Sequence, residues 1–204
     1  MPDRGPRGEP PDADLMQRTA QGDRDAFAHL YRRHQATIFR FARLMTGCDA
    51  AAEDIVQEVF LALMRDASKY DAARASLTTY LFGVARHLTR RRLLRERRFV
   101  ALDSSGAPEP LAGDDAGAHL QQRRSMEELR RAILALPSRY REVVVLCDLE
   151  ETSYADAAAA VGCPVGTIRS RLHRARQMLA TALAAGAPSK THRVTDAVRE
   201  RCAV

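Results

Sequence analysis

The chain has 204 residues, a formal net charge of +6 and a hydrophobic fraction of 46%, which allows one or two small domains with real cores and favours an anionic partner. No apolar run is long enough to span a bilayer, and the polar, Pro-rich N-terminus has no signal-peptide core, so the expected location is the cytoplasm, without membrane insertion. The four cysteines, Cys48, Cys147, Cys163 and Cys202, form no C-x-x-C pair and no histidine pair flanks them at zinc spacing; no metal site is expected, and they read as small buried thiols kept reduced.

Residues 1–11 are rich in Pro, Gly and charge and are expected to be disordered. Residues 12–98 carry helical patterning throughout. A short helix over 12–21 ends at Gly22. A long one over 25–46 ends at Gly47, with Phe27, Leu30, Tyr31, Ile38, Phe41 and Leu44 as core candidates. Asp49 is the expected cap of a third helix running to about residue 66, with Glu53 and Asp54 favourably placed near its N-terminus. Ser76 caps a fourth that continues to about residue 98.

Residues 99–122 change character: Ser, Gly, Pro and Asp dominate, no Lys or Arg occurs, and the segment reads as a flexible acidic linker. Helical patterning resumes near residue 123, is broken at Pro137 and Ser138, and restarts with Val143, Val144, Leu146 and Leu149. Residues 186–204 read as a loose tail. No stretch alternates like a strand. The expected fold is therefore all-α: two small helical domains, 12–98 and 123–185, joined by a flexible linker.

The second domain contains a helix-turn-helix. Ser153 and Asp156 have capping-box spacing, a short apolar helix ends at Gly162, and Pro164 opens a second helix. In that helix Ile168, Leu172, Ala175 and Leu179 share one side, and Arg169, His173 and Arg176 another, with Ser170 and Arg174 beside them. No acidic residue occurs between Pro164 and residue 187. An apolar back with an Arg-rich, acid-free front suits the major groove of DNA, where Arg reads guanine and phosphates attract cations. A solvated basic face is the plainer alternative, although such faces normally interleave both signs.

Two further faces stand out. On the third helix Ile55, Val56, Val59, Phe60 and Leu63 form a core side, while Asp54, Gln57, Glu58 and Leu61 share the opposite side. An acidic stripe repels phosphate, so this face suits a protein partner or solvent. On the fourth helix Leu77, Leu81, Val84 and Leu88 line one side and Thr79, Gly83, Arg86 and Arg90 another, with a basic run beyond. A mid-helix Gly costs about 1 kcal/mol against Ala, which suggests a close approach to its backbone.

The segment CPVGTIRSRLHRAR resembles the promoter-reading helix of bacterial RNA polymerase sigma factors of the extracytoplasmic-function class, in the sigma-70 family. AEDIVQEVFLAL resembles the family segment that grips the clamp helices of the largest polymerase subunit, and SLTTYLFGVARHLTRRRL the helix that reads and melts the promoter −10 element. The resemblance implies a sigma factor that binds core polymerase and directs initiation at promoters, with the polymerase clamp helices, the second-subunit flap, promoter DNA and an anti-sigma factor as partners. It implies a chain that is monomeric when free, has no cofactor and is not an enzyme.

The resemblance also assigns residues. Asp54, Gln57, Glu58 and Leu61 match the core-docking stripe. Tyr70, Thr79, Tyr80, Gly83, Arg86, His87, Arg90 and Arg91 match the −10 reader, and Tyr154, Pro164, Gly166, Thr167, Arg169, Ser170, His173, Arg174 and Arg176 the −35 reader. Tyr80 stands where the family usually has Trp, and His87 where it usually has Asn, so the family's −10 base preference does not carry over. Two other functions fit parts of the pattern. An ordinary helix-turn-helix regulator needs a dimerisation heptad, and a nucleic-acid-processing enzyme needs a metal or acid–base cluster; neither feature is present in the sequence. Glu127, Glu128, Glu150 and Glu151 read as helix-surface or helix-end residues.

Overall fold

The computed structural model describes residues 10–100 and 117–185, and every regular element in them is helical. Most of the expected disordered N-terminus and flexible linker, and all of the expected loose tail, lie outside the described residues. The elements are α1 (Asp12–Ala20), α2 (Arg24–Thr46), α3 (Asp49–Asp66), a 3-10 turn (Ala67–Lys69), α4 (Leu77–Val100), α5 (Gly117–Ala135), α6 (Ser138–Val144), a π-helical turn (Val145–Leu149), α7 (Tyr154–Val161) and α8 (Val165–Ala184).

Capping chemistry sets most of these boundaries. Asp23 opens α2 by accepting from the N–H groups of Asp25 and Ala26 at 2.9 and 3.0 Å. Gly47 closes it in the left-handed region at φ +79°, the conformation that calls for glycine there, while Leu134 of α5 packs 3.4 Å from where a Cβ would stand, which is ordinary contact. Ser153 caps α7, its Oγ accepting from the Asp156 N–H at 3.1 Å, and Gly162 ends that helix at φ +70°.

Three expectations are corrected. The N-cap of α3 is Cys48, whose Sγ accepts from the Ala51 N–H at 3.4 Å; the Asp49 carboxylate instead takes the Arg43 guanidinium at 2.6 Å. Cys48 is also disulfide-bonded rather than a reduced thiol, whereas Cys147 and Cys163 are free. Helix α5 begins at Gly117 rather than near 123, since Ala118, Leu120, Gln121 and Gln122 are good helix formers.

The two helical groups share one core. Phe41, Met45, Leu81 and Phe82 of the N-terminal group are buried in the same cluster as Val143, Leu146, Val161 and Ile168 of the C-terminal group. Helix α2 packs on α5 and α6, and α4 packs on α7. Arg141, 3% exposed, lies in this seam. Its guanidinium donates to the Met45 carbonyl at 2.6 Å, the Leu136 carbonyl at 3.1 Å and the Leu134 carbonyl.

At the other end, buried Asp12 ties α1 to α2: it accepts from the Arg33 guanidinium and pairs with His34 Nε2 at 2.8 Å. Burial by itself raises its pKa, but hydrogen bonds and charge from His34 and Arg33 outweigh burial and hold the carboxyl below its ordinary value. Such a group contributes stability above its unfolded value of 3.8 and loses it as pH falls through the lower folded value. Asp12→Asn is therefore expected to destabilise the fold by about 3 kcal/mol at neutral pH. Urea-denaturation midpoints of variant and parent converge below about pH 3.8.

Candidate nucleic-acid interface

The outer side of α8 is open. Ile168, Leu172 and Ala175 are buried against α7 and α6, which leaves Gly166, Arg169, Ser170, His173, Arg174 and Arg176 exposed, with Thr167 partly covered. Exposed Pro164 precedes the helix, and exposed Tyr154 stands across from it with the Arg169 guanidinium 5.9 Å from its ring centre. All the expected −35 residues thus lie on the surface, though not on one strip. Arg174 turns towards Tyr140 and lines an apolar cleft between α5 and α8. Arg176 turns the other way, gripped by both oxygens of Asp148 at 2.6 and 3.1 Å. Arg169, Ser170 and His173 occupy the centre.

The expected −10 residues are arranged differently. Tyr70, Thr79, Tyr80, Gly83, His87 and Arg91 converge on one cleft of roughly 640 Å³. The rings of Tyr70 and Tyr80 meet edge to face at 5.7 Å, and the Tyr70 hydroxyl donates to the Ala75 carbonyl at 3.1 Å. Basic Arg65 and Arg74 stand at the same cleft. Arg86 and Arg90 lie outside it.

The face of α4 expected to be open is roofed by the C-terminal group. Thr79 is 3% exposed, and its hydroxyl donates to Asp156 of α7 at 3.1 Å. Arg86 is ion-paired with Glu142 of α6, a carboxylate whose side chain is 5% exposed. The Ala160 carbonyl lies 3.8 Å from where a Cβ at Gly83 would stand, an ordinary contact, so the helix approaches closely but an alanine would fit. Glu150, expected at a helix surface, instead accepts both Arg40 donors at 2.9 and 2.7 Å with its side chain 4% exposed.

The stripe on α3 is exposed. Leu61 is 55% exposed and Met64 51%, at the edge of a groove of roughly 730 Å³ lined mainly by Phe27, Tyr31, Phe39, Val56 and Phe60, with Gln57 and Glu53 at its rim. Asp54 and Glu58 pair with Arg92 and Arg91 of α4 at 2.9 Å each. These pairs are solvent-exposed and worth about 0–1 kcal/mol, so they leave the acids available.

Arg141, Glu142 and Asp148 were missed from the sequence, and Glu150 and Asp156 were read only as a helix-end residue and a cap, not as partners of Arg40 and Thr79. One signal was present: Arg141 and Glu142 lie between Tyr140 and the apolar run Val143–Leu146, where a charged pair is costly unless partnered.

Known proteins resemble the chain over the same regions. The family model for sigma-70 region 2 matches residues 30–99, and that for sigma-70 region 4 matches residues 126–179. A probable RNA polymerase sigma-C factor of Mycobacterium bovis is 34% identical, covering 78% of this chain and 84% of its own length. The ECF RNA polymerase sigma factor SigM of Mycobacterium tuberculosis is 34% identical over 88% of both chains. Among solved structures, CnrH in complex with the cytosolic domain of CnrY aligns with a TM-score of 0.63 at 26% identity, covering 86% of this chain and 99% of that one.

The Arg176–Asp148 pair has a chemical reporter beside it. Burial first, and the Asp148 charge second, push the Cys147 thiol up to about 11, against a smaller opposing pull from Arg176. Cys147 is expected to react with iodoacetamide near neutral pH about 100-fold more slowly than an unperturbed thiol, because the thiolate is that much scarcer. Asp148→Asn is expected to accelerate the reaction by removing the negative charge that raises the thiol and leaving Arg176 to favour the thiolate, as followed by peptide mass spectrometry.

Proposed function

We propose a division of labour within this chain, which belongs to the sigma-70 family of RNA polymerase sigma factors and to its extracytoplasmic-function class. Such a factor is not an enzyme: it binds core polymerase and directs initiation to promoters, and its specificity lies in residues that touch DNA. Arg169, Ser170 and His173 on α8 read the −35 duplex, with Tyr154, Pro164, Gly166 and Thr167 at the mouth of the helix-turn-helix and Arg174 and Arg176 on its flanks. Tyr70, Thr79, Tyr80, Gly83, Arg86, His87, Arg90 and Arg91 capture the opened −10 strand. The cleft that gathers six of these residues supports that reading, because bases freed from a duplex are held by stacking and phosphate contacts.

Asp54, Gln57, Glu58 and Leu61 dock the clamp helices of the largest polymerase subunit. A chemically apt surface supports this: acids exposed beside an apolar groove match a basic, apolar helical partner better than they match DNA. The second-subunit flap is the other polymerase contact. An anti-sigma protein covering the docking and DNA-binding faces is the proposed negative partner; the related CnrH is seen with the cytosolic domain of CnrY. The chain works as a monomer before it joins polymerase, and in the cytoplasm. Among the described residues no helix is long and apolar enough to cross a membrane.

One observation carries the whole: a single chain presents both an acid-free, Arg-bearing open face on α8 and an acidic-apolar open face on α3. Co-purification with core polymerase subunits, followed by promoter run-off transcription, tests it directly. Asp54→Arg with Glu58→Arg is expected to preserve helicity, since exposed substitutions stay within about 0.5 kcal/mol, while core binding falls sharply. Unchanged co-purification by that double variant would remove the docking role.

Arg169→Ala is expected to cost about 1–3 kcal/mol on the preferred upstream element and to relax base preference. Arg176→Ala is expected to weaken all sequences alike and modestly, because Asp148 already holds that guanidinium. A binding selection on both variants checks the contrast, and a uniform loss for Arg169 would reduce it to a phosphate clamp.

A further inference from the structure

We infer that Arg139, at the start of α6, is a further DNA contact of the −35 reader: with Arg174 it forms a two-guanidinium clamp, mounted on the ring of Tyr140, for backbone phosphates of the duplex. The inference rests on the assignment of α8 to −35 DNA made above and adds the flank on which the backbone is held. Arg139 and Arg174 are both exposed, while Tyr140 between them is 8% exposed. The Arg139 guanidinium lies over the Tyr140 ring, 4.8 Å from its centre, and the Arg174 guanidinium is turned onto the Tyr140 hydroxyl. A ring face and a phenolic oxygen each hold a guanidinium without cancelling its charge. The hydrogen bond from Arg174, helped by the charge of Arg139, holds the hydroxyl below the ordinary phenol value although burial pushes it up.

The two flanks of α8 differ in charge. Arg176 on one flank is gripped by both oxygens of Asp148, so that flank presents a neutral pair. On the other flank no acidic residue lines the cleft that Arg174 borders, and among the described residues neither Arg139 nor Arg174 has a carboxylate partner. Two cations anchored to one ring repel each other, and an anion set between them removes that repulsion. A DNA strand offers a row of such anions, whose oxygens a guanidinium takes in bidentate geometry. A single Arg over an aromatic ring is commonplace and needs no ligand to explain it. Here a second guanidinium converges on the same phenol, from the residue next to His173 at the centre of the reading face. Backbone contacts of this kind fix the register of a reading helix without choosing bases. The −35 reader then takes its bases with Arg169, Ser170 and His173 and its backbone with residues of two helices, α6 and α8.

The test uses holoenzyme assembled from the parent or variant chain and a fluorescein-labelled promoter duplex, with affinity followed from about 50 to 200 mM salt. Arg139→Ala is expected to weaken binding roughly fivefold at low salt, equally on the preferred −35 sequence and on one with altered bases, and to reduce the slope of log affinity against log salt by about 0.9. Adding Arg174→Ala should reduce the slope about twice as far. Arg139→Lys keeps the charge and should restore most of the slope, which a purely structural role would not require. Arg32→Ala, exposed on α2 and outside both proposed DNA faces, is the charge-matched control and should leave the slope near the parent's. A slope unchanged by Arg139→Ala, or lowered as much by the control, overturns the inference. So does weaker co-purification with core polymerase at an unchanged slope, which assigns the pair to an acidic protein segment instead. Arg169→Ala, run beside these, separates the two readings. If it alters base preference while Arg139→Ala alters nothing, the −35 assignment stands and only the clamp falls. If Arg169→Ala also leaves affinity and base preference at the parent's values, the −35 assignment itself has failed and the clamp falls with it.

Discussion

Two helices that end against each other leave carbonyls with no intrahelical partner, and the seam of this protein is built where that happens twice. Helix α2 stops at Gly47 and α5 stops before Pro137, so both direct their carbonyl ends into the space between the two helical groups. Arg141 fills that space. Its planar fork reaches the Met45 carbonyl from one group and the Leu134 and Leu136 carbonyls from the other. Burying a guanidinium is costly in general. Here the negative ends of two helix dipoles and a set of charge-assisted hydrogen bonds offset the cost. A lysine, with a compact ammonium, would not span the same acceptors.

The neighbouring residue extends the arrangement. Glu142 follows Arg141 on α6 and meets Arg86 of α4, with both side chains largely removed from water. Burial separates this pair from the ones on α3. Asp54–Arg92 and Glu58–Arg91 have comparable chemistry but stand in solvent, where an ion pair contributes little. Breaking the buried pair by removing one partner leaves an uncompensated charge worth about 3–5 kcal/mol. The same two residue types thus form a firm joint in one place and a loose, readily exchanged one in the other. That difference leaves the α3 surface open to a partner and makes the seam resist opening.

How much of this was legible follows from what periodicity and capping encode. Core sides were clear: Leu30, Ile38, Phe41, Ile55, Val59 and Leu63 are buried as their spacing implies. Tyr31 was placed in the core but is 37% exposed at the rim of the α2–α3 groove, because an aromatic tolerates a half-buried position. Gly47, Ser153 and Gly162 signalled helix ends through chemistry that needs no tertiary partner. The Cys48 cap was hidden because cysteine is not among the usual capping residues, and Asp49 next to it is. The π-helical turn at Val145–Leu149 continues the apolar run of α6 without a Gly, Pro or capping break to mark it. Above all, the seam was invisible. An Arg on the polar side of α4 is equally suited to solvent, to phosphate or to a carboxylate from another helix, and single-chain spacing does not separate these. Only the packing of α6 against α4 identifies Glu142 as the partner of Arg86.

That ambiguity at Arg86 also bears on how the two helical groups are joined. A guanidinium whose fork is taken by a buried carboxylate accepts a second anion only by giving up the first, so any anion that takes Arg86 does so at the expense of the seam, and each weakens the other by the same free energy. The firmness of the joint is thus set by the balance at one guanidinium and by the burial of the seam around Arg141.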